Sequence, residues 1–203
     1  VFNPTVQEHG WESPYTVVRS TLSDRPFIVD SVKAEIRRQD QELYNVLHPV
    51  FAVTRSGDGS VAALARPAGH ENGDLQAFEL FFIERESDPA ELQQLQTGLE
   101  RVLRDVVSAT DAYGQLTERA RAAAELLRER AAATPAQAEE LSEYAGFMDW
   151  LSDDNFVFLG YREYDIVSKD GEQYLALTPD SGLGILSDYS RSAYREPVKL
   201  SAI

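Results

Sequence analysis

Two short stretches of this 203-residue sequence place polar and charged groups where they could do chemistry. Asp153-Asp154-Asn155 sets two carboxylates and an amide at the end of an apolar helical stripe. Acids are disfavoured there by roughly 0.3–1 kcal/mol each, because the carbonyl end of a helix carries partial negative charge. Two explanations stay open: a turn in which Asp and Asn bond back to the backbone, or a site for a cation or an ammonium group. Gly182-Leu183-Gly184 is a fragment of a glycine-rich phosphate cradle, but no helix with a clear dipole follows it.

His9, His48 and His70 stand in three different segments, and no pair has metal-ligand spacing. His48 lies between Leu47 and Pro49 in an otherwise apolar run, so a hydrogen-bonded core histidine is expected there. The absence of cysteine excludes disulfides, thiolate metal sites and thiol nucleophiles. No serine or threonine can be nominated as a nucleophile, since no base stands at a telling position. A nicotinamide site needs a strand leading into G-x-G-x-x-G at the start of a helix, with an acid about 20 residues further on. The sequence has no such pattern, so no cofactor or metal site is expected in this segment.

The composition, 43% hydrophobic and 26% charged, is that of a globular chain able to form one large domain or two small ones. A net charge of −15 argues against nucleic acid and anionic membrane surfaces as partners, because both demand a basic patch. No run is long enough to span a membrane, and the lack of cysteine fits a cytoplasmic location. With Val1 in place of an initiator Met, we expect a piece of a longer polypeptide.

The elements that must position these groups follow from periodicity. Residues 1–13 read as an extended arm that Phe2 and Trp11 pin down. Tyr15 to Leu22 alternates β-branched and polar residues, as a strand with one buried face does. Ser23 or Asp24 can then cap a helix with Pro26 in its first position. Ile28, Val29, Val32 and Ile36 recur at helical spacing, with Arg37 and Arg38 on the solvated side. Tyr44 to Thr54 reads as a second strand, Ser56 to Gly59 as a hairpin turn, Val61 to Ala65 as its returning arm and Pro67 to Asp74 as a polar loop. In the strand Leu75 to Glu84, Phe78, Leu80 and Phe82 point one way and Phe81 and Ile83 the other. Both faces are apolar, so the second should be covered by a later segment or a partner subunit, and Phe81 and Ile83 mark the candidate interface.

Asp88-Pro89-Ala90-Glu91 starts a helix whose stripe from Leu92 to Val107 lasts about four to five turns of 3.6 residues. Gly114 interrupts it, and Gln115 to Ala133 resumes as an exposed helical connector. A further helix from Thr134 carries Leu141, Tyr144, Phe147, Met148 and Leu151 as a buried stripe. Asn155 to Pro179 reads as two strands joined by a Lys169-Asp170-Gly171 turn. The expected fold is α+β: an arm over 1–13, a βαββα sheet domain with two helices on one face over 14–112, a helical connector over 113–152, and a β-rich segment over 153–203. The last either completes the first sheet or begins a second, PAS-like module, and the two intervening helices favour the second option.

The turn at Asp24-Arg25-Pro26-Phe27, with Ile28 and Val29, resembles the first turn of an ACT domain, the ferredoxin-like module with which many metabolic enzymes sense amino acids. ACT domains usually carry Gly where Phe27 stands. In that pattern the helix N-terminus offers N–H groups and a positive dipole end to a carboxylate, and the Gly leaves room for it. Asp24, Arg25, Pro26 and Phe27 are therefore the candidate effector-site turn. A Phe ring there should fill the space and pack into the core; the alternative is a ring that swings outward as the wall of an altered pocket.

FNP with GW and TVV, RPFIVDSV, LHPVFAV, FELFFIER, FMDWLSDDNFVFLGYREY and GLGIL, in that order, resemble the N-terminal region of the large class of NAD-specific glutamate dehydrogenases. The resemblance implies a regulatory or assembly segment whose partners are the rest of the parent polypeptide, other copies in a homo-oligomer and an amino-acid effector. NAD and the oxidation of glutamate to 2-oxoglutarate would belong to domains elsewhere in the parent. The rival readings are a free-standing amino-acid-binding module and a hydrolase using acids such as Asp153.

Overall fold

The computed structural model describes residues 1–67 and 74–202. His70 and most of the expected polar loop over 67–74 lie outside the described residues. The chain forms two compact units, Val1–Val106 and Val107–Ile203.

The first unit opens with a short helix, α1 (Val6–His9), capped by the Thr5 hydroxyl, so the arm is only partly extended. Phe2 forms an antiparallel bridge with Val17, and the Trp11 ring stands 6.5 Å from that of Phe82. The arm is thus held at both of the expected aromatics. Next come β1 (Thr16–Ser23), α2 (Ile28–Arg38), β2 (Leu43–Leu47), β3 (Val50–Arg55), β4 (Val61–Ala65) and β5 (Asp74–Ile83). The sheet is antiparallel in the order β1-β5-β3-β4, and β2 also pairs with β5. Leu47 faces Leu80 and Val50 faces Ala77, so β2 and β3 hold one register along β5 and together form the single strand expected from the sequence. The ladder breaks between them at Pro49, which has no N–H to donate. β1 and the β2–β3 strand flank β5, the arrangement of a split βαβ unit.

α2 and the first part of α3 (Pro89–Ala133) cover one face of this sheet. Val18, Ile28, Val32, Ile36, Phe81, Ile83, Leu95 and Leu99 make the core between them. α2 and α3 come close at Gly98, where an added Cβ would lie 2.0 Å from Glu35 Oε1. Arg38 grips Glu35 with Nε and Nη2 at 2.7 and 2.6 Å, and Gln39 Nε2 donates to it at 2.7 Å. The Arg38 hydrogen bonds are the main cause that holds the Glu35 carboxyl below its ordinary range.

Three expectations are corrected in this unit. Phe81 and Ile83 are fully buried against the helices, so they are core residues of this unit and not an exposed pair. Alternation along β5 marks two faces but cannot say which one the helices cover when both are apolar. The other face, with Phe78, Leu80 and Phe82, is half-buried; Tyr15 and Trp11, from before β1 and not from a later segment, place rings 6.4 and 6.5 Å from Phe82. Finally, α2 begins at Ile28, so Pro26 stands outside it, and Phe27 is the N-cap residue with no side-chain cap.

The second unit contains the rest of α3 from Val107 and α4 (Ala138–Trp150), joined through a 3-10 turn at Pro135–Gln137. The helix runs through Gly114 without interruption, at a propensity cost of about 1 kcal/mol relative to Ala. Leu116, Ala120, Ala124 and Ala131 are buried along it, so this stretch has a packed face and is not a wholly exposed connector. An ion pair from Arg128 to Asp149 and a hydrogen bond from Tyr113 Oη to Asp154 Oδ1 at 3.2 Å tie α3 to the segment of α4 and its end. α4 buries Ala145, while Tyr144, Phe147 and Trp150 face outward; the expected buried stripe is therefore reversed at Tyr144 and Phe147. The buried positions on these two helices in this unit are mostly small residues, and the large rings of α4 lie outside.

A π-type turn at Leu151–Asn155 ends α4. The strands then begin at Gly160, later than expected: β6 (Gly160–Tyr161), β7 (Tyr164–Lys169), β8 (Glu172–Leu177), β9 (Leu183–Gly184) and β10 (Val198–Lys199). β7 and β8 are the predicted hairpin, with Asp170 and Gly171 both at positive φ, as a two-residue primed turn requires. β6 pairs with β9, β10 pairs with β8, and among the described residues these five strands pair only with one another.

Candidate functional site

Ser20, Glu79 and His48 form a row across three strands of the first unit. Ser20 is the register partner of Glu79, and the common register of Leu47 with Leu80 and of Val50 with Ala77 sets His48 opposite Glu79 on the other side. The Ser20 hydroxyl donates to Glu79 Oε2 at 2.5 Å. His48 Nδ1 lies 3.1 Å from Glu79 Oε1, an oxygen that accepts no hydrogen bond of good geometry among the described residues. The carboxylate is buried and the imidazole is about one-third exposed. Burial raises the Glu79 carboxyl above its ordinary range, and the Ser20 hydroxyl and His48 oppose that rise without cancelling it. His48 is thus a partly exposed residue at ion-pair distance from a buried acid, where a hydrogen-bonded core histidine was expected. The visible signal was Glu79 itself, a charged residue inside the apolar run FELFFI.

The order of the row decides what it can do. A hydrolytic relay places the base between nucleophile and acid, so that the base takes the hydroxyl proton. Here the carboxylate is in the middle, and the Ser20 proton points to it instead of to His48. The row is a polar cross-link of the sheet that can take up a proton at Glu79.

The turn at Asp24-Arg25-Pro26-Phe27 joins β1 to α2. The Asp24 N–H donates to the Leu75 carbonyl at 2.8 Å, and the Asp24 charge is felt at Glu79, where it adds to the upward shift. Phe27 has φ 72°, a left-handed conformation in which glycine carries no penalty. Its side chain is 48% exposed, so the ring does not fill the core as expected. The left-handed backbone explains why a Gly suits this position; the chain keeps the conformation with a bulky residue in its place.

Asp153, Asp154 and Asn155 lie in the turn after α4. Asn155 Nδ2 donates to the carbonyls of Trp150 and Asp153 at 2.9 and 3.0 Å, and Asp154 sits at φ 57°. This geometry is the back-bonded turn of the first explanation, with the Tyr113 hydroxyl on Asp154 in addition. His9 Nδ1 accepts from the Thr5 N–H, and its ring stacks on Phe2 at 4.6 Å. Among the described residues, no three His, Cys, Asp or Glu side chains are placed to hold a metal ion. Among the same residues, no helix is long and apolar enough to cross a membrane.

A split βαβ sheet with two helices on one face, entered through an Asp-x-Pro turn, is the fold of an ACT-type module. Residues 1–99 match the family model described as "Glutamate dehydrogenase, ACT1 domain". The chain is 35% identical over 205 residues to an NAD-specific glutamate dehydrogenase of Halomonas elongata, covering 98% of this chain and 12% of that protein. It is 30% identical over 217 residues to an NAD-specific glutamate dehydrogenase of Pseudomonas aeruginosa, covering 99% of this chain and 13% of that one. Residues 1–99 are thus similar to the glutamate dehydrogenase ACT1 domain, and the chain spans only a small part of the length of the relatives it matches.

Proposed function

We propose that the chain is a non-catalytic regulatory and assembly segment of an NAD-dependent glutamate dehydrogenase of the cytoplasm. The oxidation of glutamate to 2-oxoglutarate, and the NAD it requires, belong in this reading to the rest of the parent polypeptide. The observation that carries it is the agreement of an ACT-type sheet with the ACT1 family match over the same residues. The small share of each relative that the chain covers leaves ample length for catalytic domains elsewhere.

Assembly is supported by α4, whose Phe147 and Trp150 rings are stacked at 6.0 Å, yet are 56% and 52% exposed. Stacked aromatics on the outer side of a helix that also buries its inner side suit a surface that other parts of the parent, or a second copy, cover. Residues 153–203, whose strands pair among themselves, fit the start of a second module of PAS-like type.

The second reading is an amino-acid sensor at the Asp24–Phe27 turn, favoured by the outward Phe27 ring. Calorimetric titration with glutamate and other amino acids, run beside sedimentation over a range of concentrations, separates the two. Concentration-dependent association without a ligand effect supports assembly. Heat of binding that disappears when Asp24 and Phe27 are both replaced supports sensing.

A further inference from the structure

A cleft of about 530 Å³ in the second unit is lined by Arg162, Asp180, Gly182, Ser187, Tyr189 and Arg195 among others. We propose that this cleft binds a small anion carrying carboxylate or phosphate groups, held between the guanidinium groups of Arg162 and Arg195. Its volume lies within the range of small-molecule sites.

Arg162 is built into the wall. It follows β6, whose pairing of Tyr161 with Leu183 and Gly160 with Gly184 brings the 182–184 segment alongside. Arg162 Nη2 donates to the Leu186 carbonyl. Gly182 makes this possible: an added Cβ there would lie 2.3 Å from the Leu186 oxygen and 2.7 Å from Arg162 Cζ. The glycines that resemble a fragment of a phosphate loop therefore serve, at position 182, to seat a guanidinium. Arg162 Nε is buried and has no hydrogen-bond partner among the described residues, so the protein leaves this guanidinium's donors incompletely used. An arginine held in place with spare donors is suited to planar, two-point recognition of a carboxylate or a phosphate.

Arg195 comes from the opposite direction in the chain and is exposed. Its backbone is pinned to the cleft by the Tyr189 hydroxyl, which donates to its carbonyl at 2.6 Å. Two carboxylates bear on the balance. Asp180 lines the cleft. Asp188 lies within the field of Arg162, but its carboxyl is held low first by hydrogen bonds from Ser190 and only then by Arg191 and Arg162. The cleft wall itself thus carries two arginines against one acid, on a chain of net charge −15. Against that background a cationic cleft selects anions locally, and one that spanned both arginines would gain a two-point contact.

The test is calorimetric titration of the 203-residue chain with succinate, with inorganic phosphate and with neutral succinamide, read together with the Arg Nε–H signals in an NMR spectrum. We expect succinate or phosphate to bind and to move the Arg162 and Arg195 signals, with succinamide silent. Arg195→Gln, on an exposed side chain, should weaken that binding at least tenfold, and Asp180→Asn should strengthen it. Binding of succinate alone assigns the site to carboxylates, and of phosphate alone to phosphates. No binding by either, or binding that Arg195→Gln and Asp180→Asn leave unchanged, would overturn the proposal. Arg162→Gln serves as a second variant where its thermal unfolding matches that of the wild type.

Discussion

His48 and Glu79 face each other across adjacent strands, with Nδ1 3.1 Å from Oε1, in the middle of a sheet whose remaining side chains on that face are mostly apolar. Only His48 reaches solvent from this pair, so it is the route by which the state of the medium is felt at a buried carboxyl.

The direction of the Glu79 shift fixes the sign of its effect on stability. Its folded-state pKa is raised, so its contribution is fully present below the unfolded value and is lost as pH rises through the folded value. Glu79→Gln imitates the protonated form. Chemical denaturation at several pH values should show the variant gaining on the wild type as pH increases from about 4.3, the unfolded Glu value, with the gap closing below it. A gap independent of pH would contradict the assignment.

Glu35 behaves in the opposite sense. Its pKa is lowered, chiefly by Arg38, so its contribution is present above the unfolded value and is lost as pH falls through the folded one. Arg38→Met removes that main cause, and the acid limb of unfolding should move to higher pH. Unchanged acid unfolding would show that Gln39 and Arg101 suffice.

Phe27 holds a left-handed backbone while its ring is half exposed. Removing the side chain should relieve more strain than it loses in burial. We expect Phe27→Gly to be more stable by up to about 1 kcal/mol in urea denaturation, whereas a loss of stability would mean that the ring's packing dominates.

Phe81 offers a direct contrast between core and interface. Phe81→Ala should cost about 3–5 kcal/mol in the isolated chain, as cavities of this size do. A cost below about 1 kcal/mol, paired with loss of self-association, would restore the interface reading.

Much of the secondary structure was legible in the sequence because its signals are local. The alternation in β1, the α2 stripe, the Asp88 cap and the Asp170-Gly171 turn each depend on neighbours only, and the structure has them where they were expected. What failed depended on tertiary placement. The two apolar faces of β5 could not be ranked without knowing where α2 and α3 lie, and Tyr144 and Phe147 read as core because ring size suggested burial. In fact the buried positions there are mostly alanines of α3 and α4. The Ser20–Glu79–His48 row needed the register of three strands separated by up to 59 residues, and no local pattern holds that information. The sequence shows Gly182 only as a residue type, while its close packing against Arg162 depends on the fold.

The proposed regulatory or assembly role leaves dehydrogenase chemistry to the rest of the polypeptide. Its most direct test is glutamate-dependent NADH formation, measured on the isolated 203-residue segment beside the parent enzyme with that segment removed. We expect no turnover by the segment, with turnover kept by the remainder and its assembly or its response to amino acids altered. NADH formation by the isolated segment would contradict it.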